Sequence, residues 1–232
     1  MMRRWQIAWT NAEAERPLRA RNQQTKTPPQ GRGFKVLTRA PIRDKLRVTL
    51  YVQRIDKVLN YFSWESVHQL SLSLQQVWRT GDKAFLCGNG GSAGNAIHLA
   101  NDYNYGIDKN GGIGLSVEAL TANASVLTCL ANDLGYENIF SQQLTVKAKP
   151  EDLLIVLSGS GNSQNVINAL GVGNDIGMKT FAILGFSGGK CKHLAQYPIH
   201  FEIDDMQISE DLQLIVGHMC MQWLYENGKG EG

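Results

Sequence analysis

The sequence predicts a doubly wound α/β fold, and three observations carry that prediction. Short apolar runs rich in β-branched residues recur at 83–87, 113–117, 153–157, 179–185 and 197–203. Unbroken runs of this kind are buried on both faces of a parallel sheet. Segments with apolar residues at helical spacing separate them, so strand and helix alternate along the chain. Two of the strand-to-helix connections, Gly88-Asn-Gly-Gly-Ser92 and Ser158-Gly-Ser-Gly-Asn-Ser163, are rich in glycine. Both would open at the carboxyl edge, where such sheets bind ligands.

The second of these loops is the stretch around which the chain is organised. It follows the apolar run Leu153 to Leu157 and precedes Val166, Ile167 and Leu170 at helical spacing. The loop therefore delivers the hydroxyls of Ser158, Ser160 and Ser163, with Gly159, Gly161 and Asn162 between them, to a helix N-terminus. Glycine lets the backbone approach a ligand, hydroxyls donate to phosphate oxygens, and first-turn amides favour negative charge. A turn that merely caps its helix with Ser163 is the plainer alternative. A cap needs one hydroxyl and this loop supplies three, which favours an anion site.

The 232-residue chain is long enough to bury a sizeable core and carries a formal net charge of +2. Residues 1–47 hold twelve Lys/Arg against three Asp/Glu, or +9, which leaves 2 − 9 = −7 for the remainder. An acidic body argues against a nucleic-acid-binding core. Cys87, Cys129, Cys191 and Cys220 are scattered without metal-type spacing and read as reduced thiols of a cytoplasmic protein. No apolar run approaches the length of a membrane span.

Residues 1–47 mix Arg, Gln, Thr and Pro with little periodicity and are expected to form a disordered or loosely docked extension, with 48–232 as the folded domain. From Tyr51 the pattern turns helical, through Val52, Ile55, Val58, Leu59 and Phe62, then Val67, Leu70, Leu72, Leu74 and Val77. Two helices thus precede the first strand. They have no sheet face assigned to them and are candidates for packing between subunits.

Gly88, Gly90 and Ala93 also fit the G-x-G-x-x-(G/A) dinucleotide fingerprint. That motif wants an acidic residue ending the next strand about 20 residues on. Asp108 falls in an expected loop and Glu118 comes too late. Helices are expected over 118–130, from about 139 to 147, briefly over 188–195, and from about 208 to 226.

The two Gly-rich loops, the segment Leu130-Ala-Asn-Asp-Leu-Gly-Tyr-Glu-Asn-Ile-Phe-Ser141 and residues 185–190 together resemble the sugar isomerase (SIS) domain family, across about residues 50–226. Within it the nearest likeness is to the isomerases of seven-carbon sugar phosphates. The resemblance implies a five-stranded parallel sheet, a homotetramer, a sugar phosphate held in the serine loop, and enediol isomerisation of ketose to aldose phosphate serving surface-polysaccharide synthesis. Motif by motif, it implies substrate contacts at Asn89, Gly90, Gly91, Ser92, Asp133, Ser158, Gly159, Ser160, Asn162, Ser163 and Glu210. Gly159 stands where the isomerases often have threonine. His98 and Asp102 resemble the family's His-x-x-x-Glu segment, with aspartate for glutamate and Gly106 where arginine commonly follows. Glu210 and His218 resemble its Gln…His pair, with glutamate for glutamine. Non-catalytic relatives, of the type associating with the DnaA initiator, make a binding module the alternative to an enzyme.

Ketose–aldose interconversion needs a base for a carbon-bound proton, an acid for the neighbouring oxygen, and stabilisation of the enediolate. Asp102 and His218 are the expected pair. His98 and Asp102, at i and i+4, share a helix face. His98, Asp102, Glu210 and His218 together are a donor set that suits zinc. Glu210 and His218 are separated by eight residues, about 12 Å along a helix. Both would have to lean inward to meet one ion.

Overall fold

The computed structural model describes residues 41–108 and 112–228. Two helices, α1 (Pro41–Tyr61) and α2 (Glu65–Thr80), precede β1 (Ala84–Gly88) and α3 (Gly91–Asn101). There follow β2 (Val117–Ala119), α4 (Ala124–Leu134), α5 (Ser141–Lys147), β3 (Leu153–Ser158) and α6 (Gln164–Ile176). The chain continues through β4 (Lys179–Leu184), α7 (Cys191–Leu194), β5 (Tyr197–His200) and α8 (Met206–Asn227). The expected extension lies outside the described residues up to position 40. Its last part does not: α1 begins at Pro41, inside the segment read as an extension.

The five strands pair in parallel in the order β2-β1-β3-β4-β5. Residues alternate between the two faces, as a strand's period of two requires. Leu86, Ile155, Leu157 and Ile183 pack with α2, α3 and α8, whereas Phe85, Cys87, Val156 and Leu184 pack against α5, α6 and α7. Burial on both sides explains why β3 reads as an unbroken apolar run. Its entry is fixed by Asp152, a fully buried carboxylate that accepts the backbone N–H groups of Lys83 at 2.8 Å and Lys149 at 2.9 Å.

Two expected elements are corrected. The strand expected over 113–117 starts only at Val117. The backbone before it is bound elsewhere: Leu115 N–H donates to the Tyr103 carbonyl, and Val117 N–H to Asn104 Oδ1. The helix expected over 118–130 starts at Ala124, because Glu118 pairs with Phe85 in the sheet and Asn123 caps the helix by accepting Val126 N–H at 3.2 Å.

Helix α1 is more fully used within the chain's own core than its pattern suggested. Ile55, Val58, Leu59 and Phe62 pack on the core, Tyr51 donates to Asp211 on α8, and Arg54 pairs with Asp205 at 2.6 Å. Val48, Val52 and Tyr61 remain exposed, at 70%, 61% and 85%.

Candidate active site

In the strand order, the chain leaves β1 for β2 on one side and returns to β3 on the other. The crevice outside the carboxyl ends of β1 and β3 is therefore the switch point at which open α/β sheets take ligands. Both Gly-rich loops rise there, since Gly88 is in register with Leu157.

The serine loop is braced from behind. Gly161 adopts φ 65° and lies so close to the next loop that a Cβ would stand 2.0 Å from the Gly188 carbonyl oxygen. Its own carbonyl accepts Cys191 N–H, and Asn162 Oδ1 accepts Lys190 N–H at 3.1 Å. Asn162 thus ties two loops together. The hydroxyls of Ser158 and Ser160 accept the N–H groups of Gly161 at 3.0 Å and Asn162 at 3.4 Å. Ser163 is the N-cap residue of α6, but its side chain makes no capping hydrogen bond. A hydroxyl that accepts an internal N–H keeps its own proton for a ligand oxygen.

A cavity of about 100 Å³ opens between these loops, lined by Ser92, Asn89, Ser158, Ser160, Ser163 and Gly159 together with Met206 and Glu210 of α8. Asn89 is held by Asn165 through a reciprocal pair of amide hydrogen bonds of 2.8 and 2.9 Å, and by Tyr136, whose hydroxyl donates at 2.9 Å. The room that a side chain on Gly159 would need is filled by Met206, whose Sδ lies 2.6 Å from the ideal Cβ position. Glu210 packs against Gly91 at the start of α3, with a carboxylate oxygen 2.3 Å from where a Cβ would stand. Gly90 is the N-cap residue of that helix. Asp133 does not line the cavity. It lies exposed on α4, where its carboxylate accepts from Asn132 at 2.7 Å and from the Cys129 thiol at 3.5 Å.

Helices α3 and α8 run side by side in the same direction, with Asn95 against Glu210, Leu99 against Gly217 and His98 against His218. Gly217 permits this approach, since a Cβ there would meet Leu99 Cδ2 at 2.2 Å. Two turns beyond the cavity, His98 Nε2 and His218 Nε2 lie 2.9 Å apart, and each is 3.3 Å from Asp102 Oδ2. Asp102 opens a π-helical turn, Asp102–Gly106, a local geometry frequent at functional sites. The Asp102 side chain is 17% exposed, and those of His98 and His218 are 49% and 45% exposed.

These three residues offer ligand atoms within 4.8 Å of one another and could hold a metal ion. Two imidazoles and a carboxylate are a donor set zinc accepts, and ligand bonds of about 2.0 Å in a tetrahedron place donors about 3.3 Å apart. The residues therefore fit such an ion. Glu210 does not join them, a correction to the four-residue set: two turns of α8 separate it from His218, and its carboxylate faces Gly91. At Gly106, a Cβ would stand 2.8 Å from Met221 Cε, so Met221 fills the room a side chain there would need.

Sequence reasoning did not single out Asn95, Tyr136, Asn165, Met206 or Gln213. For Gln213 a signal was there, a polar residue on a mainly apolar stripe of the last helix, buried with Leu212, Val216, Gly217 and Cys220.

The molecule is thus a parallel α/β domain with a serine loop at its switch point and a His–Asp–His cluster beside it. The chain belongs to the SIS domain family, which residues 50–185 match. It is 36% identical over 156 residues to the phosphoheptose isomerase of Akkermansia muciniphila, covering 67% of this chain and 82% of that protein. To the phosphoheptose isomerase of Nitratidesulfovibrio vulgaris it is 33% identical over 198 residues, covering 83% and 89% of the two chains. The solved phosphoheptose isomerase of Neisseria gonorrhoeae superposes with a TM-score of 0.73 at 25% identity, over 80% of this chain and 99% of that one.

Proposed function

We propose that the chain is a ketose–aldose isomerase of a sugar phosphate, converting sedoheptulose 7-phosphate to a heptose 7-phosphate through an enediol. The observation that carries this reading is the placement of two sites along one pair of helices. The serine cavity stands at the start of α3, and the His98–Asp102–His218 cluster two turns further along. Six residues separate Ser92 from His98, about 9 Å of helix. An elongated sugar phosphate can then be gripped by its phosphate while its carbonyl end lies at the cluster. The relatives named as phosphoheptose isomerases support the choice of sugar.

Ser158, Ser160 and Ser163 hold the phosphate together with Ser92, and Asn89 stands on the sugar side. Asp102 takes the carbon-bound proton and His218 delivers a proton to the neighbouring oxygen, a division of labour that general acid–base catalysis requires. A zinc ion held by His98, Asp102 and His218 would occupy His218 Nε2 and would supply Lewis-acid polarisation of the substrate's oxygens in place of that proton. Asp102 keeps its second oxygen, Oδ1, free of the imidazoles, in a 3.4 Å contact with Asn101. Glu210, on the cavity wall, is assigned to sugar hydroxyls.

We assign the function to residues 48–232 and regard the preceding residues as accessory. The exposed apolar side chains of Val48, Val52 and Tyr61 on α1 suit packing against further copies in a homotetramer, which light scattering would weigh directly. The four unpaired thiols suit a cytoplasmic setting. Among the described residues, no helix is long and apolar enough to cross a membrane.

The test is solvent-deuterium incorporation at the carbon beside the carbonyl, assayed with phosphates of pentoses to heptoses, with and without added zinc. The isomerase exchanges that proton fastest on sedoheptulose 7-phosphate. Binding without exchange on any sugar makes the chain a non-catalytic binding module.

A further inference from the structure

Between α3 and α8, two amide side chains and one hydroxyl form a chain of hydrogen bonds with a fixed direction. It starts at the backbone carbonyl of Glu210, a group that can only accept. Asn95 Nδ2 lies 3.0 Å from that oxygen, so Asn95 presents its NH₂ end there. The same nitrogen lies 3.0 Å from Gln213 Oε1, which must be the carbonyl end of Gln213. Gln213 Nε2 is thereby left facing Ser92 Oγ, to which it donates at 3.0 Å. Gln213 is 1% exposed and Ser92 4%, so the Gln213–Ser92 end of the arrangement is shielded from bulk water. With its oxygen already accepting from within, the Ser92 hydroxyl has its proton left for the cavity it lines.

We propose that Gln213 is a positioning residue that makes Ser92 a hydrogen-bond donor to the phosphorylated ligand, with Asn95 setting the orientation of its amide. This rests on the reading of the serine cavity as a phosphate-sugar site. Ligand oxygens on an ionised phosphate only accept, so a hydroxyl helps there when its proton is uncommitted. Ser158 and Ser160 reach the same state through backbone N–H groups of their own loop. Ser92 depends instead on a side chain from another helix, which makes its polarity open to reversal. A carboxylate at position 213 would accept rather than donate and would draw the Ser92 proton inward, away from the ligand.

The experiment is a double-mutant cycle on the full chain, with inorganic phosphate and sedoheptulose 7-phosphate titrated calorimetrically into wild type, Gln213→Glu, Ser92→Ala and the double variant. Gln213→Glu is expected to weaken binding on the order of ten-fold. In the Ser92→Ala background it should do nothing further, because it acts through Ser92. In turnover, KM should rise while kcat stays near wild type. Gln213→Met, which removes the donor without adding an acceptor, should show a smaller loss that also vanishes with Ser92→Ala. That pair decides the matter if the glutamate variant fails to fold, as judged by thermal melting. Wild-type affinity in folded variants, or equal losses with and without Ser92, overturns the role of Gln213 alone. A wild-type protein that binds neither ligand overturns the cavity reading and this role together.

Discussion

His98 Nε2 and His218 Nε2 stand 2.9 Å apart, and Asp102 Oδ2 lies 3.3 Å from both. Two imidazole nitrogens at that distance need a proton or a cation between them, since two bare lone pairs would repel. The carboxylate beside them favours positive charge in that space. Purified protein should therefore retain a divalent metal, with zinc the best match to the donors. Elemental analysis should find close to one ion per chain, and both His98→Ala and His218→Ala should lose it. A chelator should lower the melting temperature of wild type and leave that of either variant unmoved. Equal metal content in all three proteins would remove the cluster from consideration.

Ser160 reports on the other end of the site. Its hydroxyl lines the cavity and accepts Asn162 N–H at 3.4 Å, a long contact whose loss costs the loop little. Ser160→Ala should weaken sugar-phosphate binding by about 1 to 3 kcal/mol, the range for a charge-assisted hydrogen bond. That corresponds to roughly 5- to 150-fold in Kd. Calorimetry with the same ligand on both proteins measures it. An unchanged Kd would detach the loop from phosphate.

These two sites were legible in the sequence to different depths. Leu153–Ser158 and Lys179–Leu184 could be read directly because burial on both faces leaves an unbroken apolar run. The edge strand could not. Its position depends on Leu115 and Val117 bonding to Tyr103 and Asn104, contacts that no local pattern announces. His98 and Asp102 are legible as an i, i+4 pair, whereas His218 joins them only because Gly217 lets α8 approach Leu99. The same helix packing turns Glu210 toward Gly91 and places Gln213 against Ser92. Spacing along one helix cannot tell which of its residues will meet a second helix, and that is where the four-residue metal set failed.

Burial sets a limit on the alkaline side. Cys220 is fully buried and its thiol is pushed up to about 12, chiefly by desolvation, and Cys87 is shifted in the same direction by the same cause. The folded chain holds these protons after the unfolded chain, with thiols near an ordinary value of about 8.5, has begun to release them. Their contribution to stability is complete below that ordinary value and is lost as pH rises toward the folded one. Denaturant midpoints should fall between about pH 7 and about pH 10, and Cys220→Ala should flatten the decline. An identical slope in the variant would show that the thiol is not a source of it.

The proton-transfer assignment makes the sharpest claim on single residues. Asp102 and His218 come from different helices, meet at 3.3 Å, and lie two turns from the serine hydroxyls that line the cavity. Replacing either by asparagine keeps a polar side chain of similar size but removes the ability to exchange a proton. Asp102→Asn and His218→Asn should each lower kcat by roughly 10²- to 10⁴-fold, the usual contribution of a positioned acid or base. Inorganic phosphate should bind as before, because the serine cavity is untouched. Solvent-deuterium exchange separates the two roles. The aspartate variant, lacking the base, should lose exchange and turnover together, whereas the histidine variant should lose turnover more than exchange, since the carbon-bound proton can still be removed. Loss of phosphate affinity in step with kcat would mean that the cluster supports binding instead, and near-wild-type turnover in Asp102→Asn would require another carboxylate as the base, with Glu210 at the cavity wall the one to replace next.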